Sequence, residues 1–176
     1  SIAEICGDLC RTVPANRLLQ GDVGSGKTAV AAAACYFTCK NGFQSALMAP
    51  TEILAEQHFA SLSALFVPLG VSVALLTGSM TGKQKKDVRE RIAAGEVQVV
   101  IGTHALLSES TRFDNLGLVI TDEQHRFGVG QRSRLSAKGE DPHLLVMSAT
   151  PIPRTLALIL YGDLDLSLIH ISSPRD

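Results

Sequence analysis

Gly21-Asp22-Val23-Gly24-Ser25-Gly26-Lys27-Thr28 follows a strand-length run, Arg17–Gln20, and opens an Ala-rich run, Lys27–Lys40. The octapeptide satisfies G-x-x-x-x-G-K-[ST] in the strand–loop–helix setting that gives this pattern its meaning. Glycines at 21, 24 and 26 let the backbone turn tightly and bring its N–H groups around phosphate oxygens, at the positive end of the following helix. Lys27 supplies a point charge for β and γ phosphates, and the Thr28 hydroxyl stands where Mg2+ can be held. Gly21 to Thr28 is therefore the expected ATP site. The loop argues strongly for nucleotide binding and says little about what the energy drives, because many enzyme classes share it.

Outward from the loop, short apolar runs alternate with longer amphipathic ones. This is the pattern of a parallel sheet covered by helices on both faces. Strands are expected at Arg17–Gln20, Ser45–Met48, Val71–Leu76, Val97–Ile101, Leu116–Thr121 and His143–Ser148, each apolar on consecutive residues as befits burial on both sides. Helices are expected over Lys27–Lys40, Thr51–Leu65, Gly82–Ala94 and Ile152–Tyr161. The predicted fold is a three-layer α/β lobe of the P-loop NTPase type with a mostly parallel central sheet. No repeat, low-complexity tract or linker divides residues 17–168. Residues 1–16 read as a leading helix left over from an upstream segment, with Pro14 marking its exit, and Ile169 to Asp176 fit no element.

The chain has 176 residues, 45% of them hydrophobic and 19% charged, a balance that suits one compact lobe and excludes a disordered or fibrous chain. Its net charge of −1 means that any nucleic-acid contact is local rather than general. The apolar runs are strand-length, well short of the ~20 residues that cross a bilayer, so no membrane contact is expected. Cys6, Cys10, Cys35 and Cys39 form two pairs spaced four apart. Zinc ligands more often come as Cys-x-x-Cys knuckles on turns, and helical neighbours four apart stand too far from one another for a disulfide, so reduced thiols are expected over a metal site.

Leu118-Val119-Ile120-Thr121-Asp122-Glu123 is an apolar strand ending in two carboxylates, at the sheet edge where open α/β sheets bind ligands. Asp122 is expected to hold Mg2+ through a water, and Glu123 to orient and polarise the water that attacks the γ phosphate. An Asp-Glu after a strand is by itself an ordinary helix start. About 95 residues downstream of a phosphate loop, the catalytic reading outweighs it. Gln124 and His125 are read as groups that sense the γ phosphate or a partner lobe. His58, His104, His143 and His170 show no ligand spacing with Cys or acids and read as structural or exposed.

Several segments together resemble the superfamily 2 helicases and translocases and, more narrowly, the RecG family of bacterial branched-DNA helicases, over nearly all of residues 17–168. They are Leu19 to Thr28, Met48-Ala49-Pro50-Thr51-Glu52 to His58, Leu76-Thr77-Gly78-Ser79, Ile101-Gly102-Thr103-His104-Ala105-Leu106, Asp122 to Val129, and Ser148-Ala149-Thr150-Pro151-Ile152-Pro153-Arg154-Thr155-Leu156. The resemblance implies the first RecA-like lobe of an ATP-dependent DNA helicase of recombination and repair, acting on branched duplexes such as forks and four-way junctions. Pro50-Thr51-Glu52, Thr77-Gly78 and Gly102-Thr103 would grip the nucleic-acid backbone without reading sequence. Ser148-Ala149-Thr150 would couple hydrolysis to movement between lobes. Each segment also reads singly as a plain strand-to-helix turn or N-cap.

The family's motor needs a second RecA-like lobe that supplies arginine fingers across the ATP cleft, worth ~10³–10⁵ in rate. That lobe is not within these residues, so the isolated chain is expected to bind ATP weakly and to turn it over slowly. The Mfd transcription-repair coupling translocases are the nearest rival resemblance, sharing Thr150-Pro151-Ile152-Pro153-Arg154-Thr155; Ser25 and Gln124 tilt the choice to RecG. A nucleotide-binding module without productive turnover is the rival of another class. Lys83, Lys85, Lys86, Arg89 and Arg91 form a basic cluster that reads as a solvated helix face, with phosphate contact as the alternative.

Overall fold

The structure, a computed structural model, describes residues 16–20, 27–122, 134–139, 142–148 and 168–170, with side chains for 27–122, 134–139 and 142–148. The element order is β1 (Asn16–Gln20), α1 (Lys27–Lys40), β2 (Gln44–Met48), α2 (Glu52–Phe66), β3 (Val73–Leu76), α3 (Gly82–Ala93), β4 (Val99–Gly102), β5 (Leu116–Asp122), β6 (His143–Ser148) and β7 (Leu168–His170). Short 3-10 turns follow α2 at Val67–Leu69 and β4 at His104–Leu107. The expected leading helix and the helix Ile152–Tyr161 lie outside the described residues, as do Cys6 and Cys10.

One sheet runs in the order β3-β4-β2-β5-β6-β1-β7, and every pairing among the described residues is parallel. Parallel neighbours need crossovers on the sheet faces, which is why each strand reads as a continuous apolar run. β2 sits inside the sheet and is buried along its whole length.

Alternate strand residues feed two cores. Leu47, Val99, Ile101, Leu118, Ile120, Leu145 and Met147 pack on one face with Val30, Ala31, Ala34 and Cys35 of α1 and Ala55, Leu62 and Phe66 of α2. Ala46, Met48, Val100, Val119, Leu144 and Val146 point to the other, under Ile92 of α3, Leu106 and Leu107. Each fully buried Leu or Ile contributes about 1.5–3 kcal/mol of transfer free energy, which fixes the register because a one-residue slip would exchange the two faces. The small residues of α1 let that helix lie close against the sheet. Thr38 at its buried end satisfies its hydroxyl on Ala34 O at 2.8 Å.

Helix starts follow their caps. Thr51 accepts from Leu54 N at 3.3 Å and caps α2, and Thr81 with Gln84 forms a reciprocal capping box on α3. At the amino edge of the sheet, the chain enters β2, β3 and β4 through glycines in the left-handed region, Gly42 (φ 83), Gly70 (φ 73) and Gly95 (φ 76), where a side chain would be strained.

Three expectations are corrected. Ile169 and His170 do not fall outside every element: with Leu168 they form β7, pairing with Leu18–Gln20 of β1. The boundary expected at 168 therefore passes through a strand, held by backbone pairing that a three-residue run cannot announce. Asn16 belongs to β1 rather than to the leading segment. β3 and β4 begin two residues later than expected, because Gln98 N and Val99 N both donate to Ser72 O in an irregular entry.

Candidate nucleotide and nucleic-acid site

The carboxyl edge of the sheet carries those residues of the expected site that are described. β1, β6 and β5 are consecutive there, aligning Gln20 with Ser148 and Met147 with Asp122. With strands about 4.8 Å apart, the end of β1 and Asp122 are separated by about 10 Å across one intervening strand. Lys27 and Thr28, both partly exposed, form the first turn of α1, and Ser148, the last residue of β6, is buried. Of the other expected residues, Gly21, Asp22, Val23, Gly24, Ser25, Gly26, Glu123, Gln124, His125, Ala149 and Thr150 lie outside the described residues.

Asp122 has a partner that the sequence reading did not name. His58 Nε2 lies 2.8 Å from Asp122 Oδ2, and both side chains are only 14% exposed. An ionised carboxylate only accepts, so Nε2 carries the hydrogen. His58 stands on the sheet-facing stripe of α2, three residues after buried Ala55 and four before buried Leu62. That helical phase was the available signal: a polar residue within an apolar stripe has to meet a polar group. The bond engages one carboxylate oxygen. A carboxylate oxygen at the end of β5 and the Thr28 hydroxyl at the start of α1 are oxygen donors of the kind that a small hard cation takes.

Beside it, the three expected grip segments meet at the ends of β2, β4 and β3. Ala49 N donates to Gly102 O at 2.8 Å, Thr103 N to Leu76 O at 3.3 Å, and Ser79 N to Glu52 Oε1 at 2.8 Å. The Ser79 hydrogen bonds hold the Glu52 carboxyl below its ordinary range. Gly102 makes the strand spacing possible, since a Cβ there would stand 2.2 Å from Leu76 O. Thr51 and Gly78 are exposed, Pro50 and Glu52 partly so. Thr77, Gly102 and Thr103 are buried, and Thr103 Oγ1 has no hydrogen-bond partner among the described residues. The surface share of the expected grip is therefore Thr51, Gly78 and parts of Pro50 and Glu52.

The remaining polar candidates separate clearly. Cys35 and Cys39 are free thiols, the first fully buried, and burial pushes its thiol up to about 12. Among the described residues no helix is long and apolar enough to cross a membrane.

With phosphate-loop helix, strand-end aspartate and strand-end serine on one edge, the comparison with known proteins is decisive: residues 7–159 match the DEAD/DEAH box helicase family. The chain belongs to that family. Within the DEAD/DEAH box helicases it is 58% identical over 168 residues to ATP-dependent DNA helicase RecG of Bacillus subtilis (strain 168), a match covering 96% of this chain and 25% of the relative. RecG of Aquifex aeolicus (strain VF5) is also 58% identical, over 99% of this chain and 22% of its own length. A solved structure of RecG bound to a three-way DNA junction superposes with a TM-score of 0.85 at 48% identity, over 98% of this chain and 23% of that one. This chain thus spans about a quarter of the length of these relatives. The likeness to the first RecA-like lobe of RecG, read from the motifs, is borne out, and RecG rather than Mfd is the relative favoured.

Proposed function

We propose that this chain is the ATP-binding motor lobe of an ATP-dependent DNA helicase that acts on branched DNA, as forks or four-way junctions, and that it works with Mg2+ and a second RecA-like lobe. The observation that carries the reading is the shared edge, where Gln20 at the end of β1, Ser148 and Asp122 stand on neighbouring strands. Lys27 and the amides of Gly21 to Gly26 bind the triphosphate, and Thr28 and Asp122 hold Mg2+, which when bound neutralises charge between the β and γ phosphates. Glu123 positions and polarises the attacking water. Gln124, His125, Ser148, Ala149 and Thr150 connect nucleotide state to the partner lobe. Exposed Thr51 and Gly78, with Pro50, Glu52 and the backbone around Thr77, Gly102 and Thr103, contact DNA phosphates in a sequence-independent way.

The test is phosphate release by the full-length protein with and without forked DNA. Lys27→Ala, Asp122→Asn and Glu123→Gln are each expected to lower the DNA-stimulated rate by about a hundredfold or more, Glu123→Gln with nucleotide binding retained. Undiminished release by Lys27→Ala or Asp122→Asn would overturn the assignment. Assayed as residues 1–176 alone, the lobe is expected to bind fluorescent ATP weakly with slow turnover; brisk DNA-stimulated hydrolysis by these residues alone contradicts that.

A further inference from the structure

The basic cluster that the sequence places on one helix is split by the structure into two kinds of charge. Lys86 pairs with Glu90 and Arg91 with Glu96, both at 3.9 Å. Lys85 and Arg89 instead line an open cavity of about 530 Å³ together with Gly78, His104, Leu107 and Arg134. The cavity's basic side chains come from three places in the chain: α3, the 3-10 turn after β4, and the helical turn at 134–136.

Arg89 and Arg134 are held by neutral groups. Arg89 Nε donates to Thr111 Oγ1 at 3.1 Å, and Thr111 Oγ1 in turn donates to Ala105 O at 3.1 Å. Arg134 Nη2 reaches Leu107 O at 3.4 Å, and next to it Lys138 Nζ donates to Ser108 O and Thr111 O, both at 2.7 Å. Among the described residues no carboxylate lies within ion-pair distance of Lys85, Arg89, Arg134 or Lys138. Carbonyls and a hydroxyl fix the positions of the charges without cancelling them. The Lys138 ammonium registers the result, pushed down first by burial and then by Arg134, with Arg112 and Arg89 acting in the same direction against Glu109. In a chain of net charge −1, such a concentration is a local feature rather than a general basic character.

We propose that Lys85, Arg89, His104 and Arg134 form a binding site for backbone phosphates of DNA, extending the exposed grip at Thr51 and Gly78 along the same rim. The inference rests on the motor-lobe reading above. Gly78 belongs to both the grip and the cavity wall, so the two are continuous. Guanidinium forks match phosphate oxygens, and contacts of this kind fix the duplex without reading bases. A solvated helix face, the blander account, explains Lys86 and Arg91 but leaves unexplained why Arg89 and Arg134, from distant parts of the chain, are tied back around one cavity.

The experiment is salt-dependent binding of a fluorescent DNA duplex by the full-length protein, comparing Lys85→Gln/Arg89→Gln with the charge-matched Lys86→Gln/Arg91→Gln. The cavity variant is expected to weaken binding about tenfold and to flatten the slope of log K against log salt by about 0.9 per lost contact, while the control changes affinity by less than about twofold. Lys85→Gln alone, which removes a side chain with no hydrogen bond or ion pair among the described residues and leaves Arg89 in place, repeats the test. Absence of DNA binding by the parent protein overturns the motor-lobe reading and this site together. Intact binding by the parent with equal losses in both double variants, or none in the cavity variants, overturns this site alone. Inorganic phosphate at matched ionic strength is expected not to displace the duplex; displacement would assign the cavity to a free phosphate, and equal competition by polyglutamate would assign it to acidic protein, either of which overturns the DNA site.

Discussion

His58 Nε2 and Asp122 Oδ2 stand 2.8 Å apart, joining the second turn of α2 to the last residue of β5. Thr51, which caps α2, lies seven residues before His58, about 10 Å along the same helix axis. One rigid element therefore reaches from the exposed grip to the carboxylate assigned to Mg2+. Partners that orient a metal-holding group cost about 10- to 100-fold in metal affinity when removed. His58→Ala in the full-length protein is expected to raise the Mg2+ concentration for half-maximal ATP hydrolysis by about tenfold, with a smaller change at saturating Mg2+. His58→Gln, which keeps a donor, is expected to recover part of the loss. An unchanged Mg2+ dependence in His58→Ala would show that the bond only supports packing.

Gln44 concentrates more hydrogen bonding than any apolar substitute could replace. Its buried amide donates to Ile92 O at 3.0 Å and Val97 O at 2.8 Å, and accepts from Asp114 N at 2.9 Å and Asn115 N at 3.0 Å. It ties the start of β2 to the exit of α3 and the entry of β5. Gln44→Met keeps the volume and strands those backbone groups, at an expected cost of about 3–5 kcal/mol. Urea unfolding followed by circular dichroism measures it, and a loss below about 1 kcal/mol would contradict the account.

Cys35 and Cys39 share α1 but not an environment. Cys35 is fully buried with its thiol near 12, whereas Cys39 is partly exposed. The thiolate is the reactive form, so iodoacetamide at pH 8 is expected to label Cys39 on the order of a hundredfold faster than Cys35. Fragment-ion mass spectrometry locates the adducts. Labelling of Cys35 at a comparable rate in the native protein would disprove its burial.

His143, half-buried at the start of β6, is held below its ordinary value of 6.5 by burial. The folded chain therefore prefers the neutral ring. Its stability contribution is complete above pH 6.5 and is lost as pH falls below that value, because the unfolded chain takes up the proton first. His143→Asn is expected to remove the part of the pH dependence that falls between pH 6.5 and the onset of carboxylate protonation. Urea midpoints of the two proteins across that window provide the check, and parallel curves would argue against it.

Gly102 sets the spacing of β3 and β4. A methyl group there would meet Leu76 O at 2.2 Å and Leu106 Cγ at 3.0 Å. Gly102→Ala is expected to cost about 1–3 kcal/mol, the usual range for overpacking, and to weaken DNA binding by displacing Thr77 and Gly78. Thermal unfolding and duplex binding measured together test both effects; wild-type behaviour in both would mean that the loops do not depend on this close approach.

Much of this architecture could be read before any coordinates, and for identifiable reasons. Leu118–Ile120 and Leu144–Met147 are continuous apolar runs because both sheet faces are covered, and the phosphate loop fixed where the first helix begins. Asp122 was legible because it ends such a run. What escaped depended on distance in sequence. The His58 contact joins residues 64 positions apart. The cavity unites Arg89 and Arg134, and β7 is defined by pairing with β1 rather than by its own three residues. Exposure was illegible too: Thr77 and Thr103 look like surface hydroxyls in a turn, yet the neighbouring strand ends cover them.

The left-handed glycine turns have a practical meaning. They all lie on the amino rim, whereas the residues assigned to ATP and DNA lie on the carboxyl rim, a strand's length away. Leu69, in the turn just before Gly70, is 54% exposed. A tether inserted there, for surface attachment or for a reporter dye, would hold the molecule from behind and leave its working side free to meet a junction.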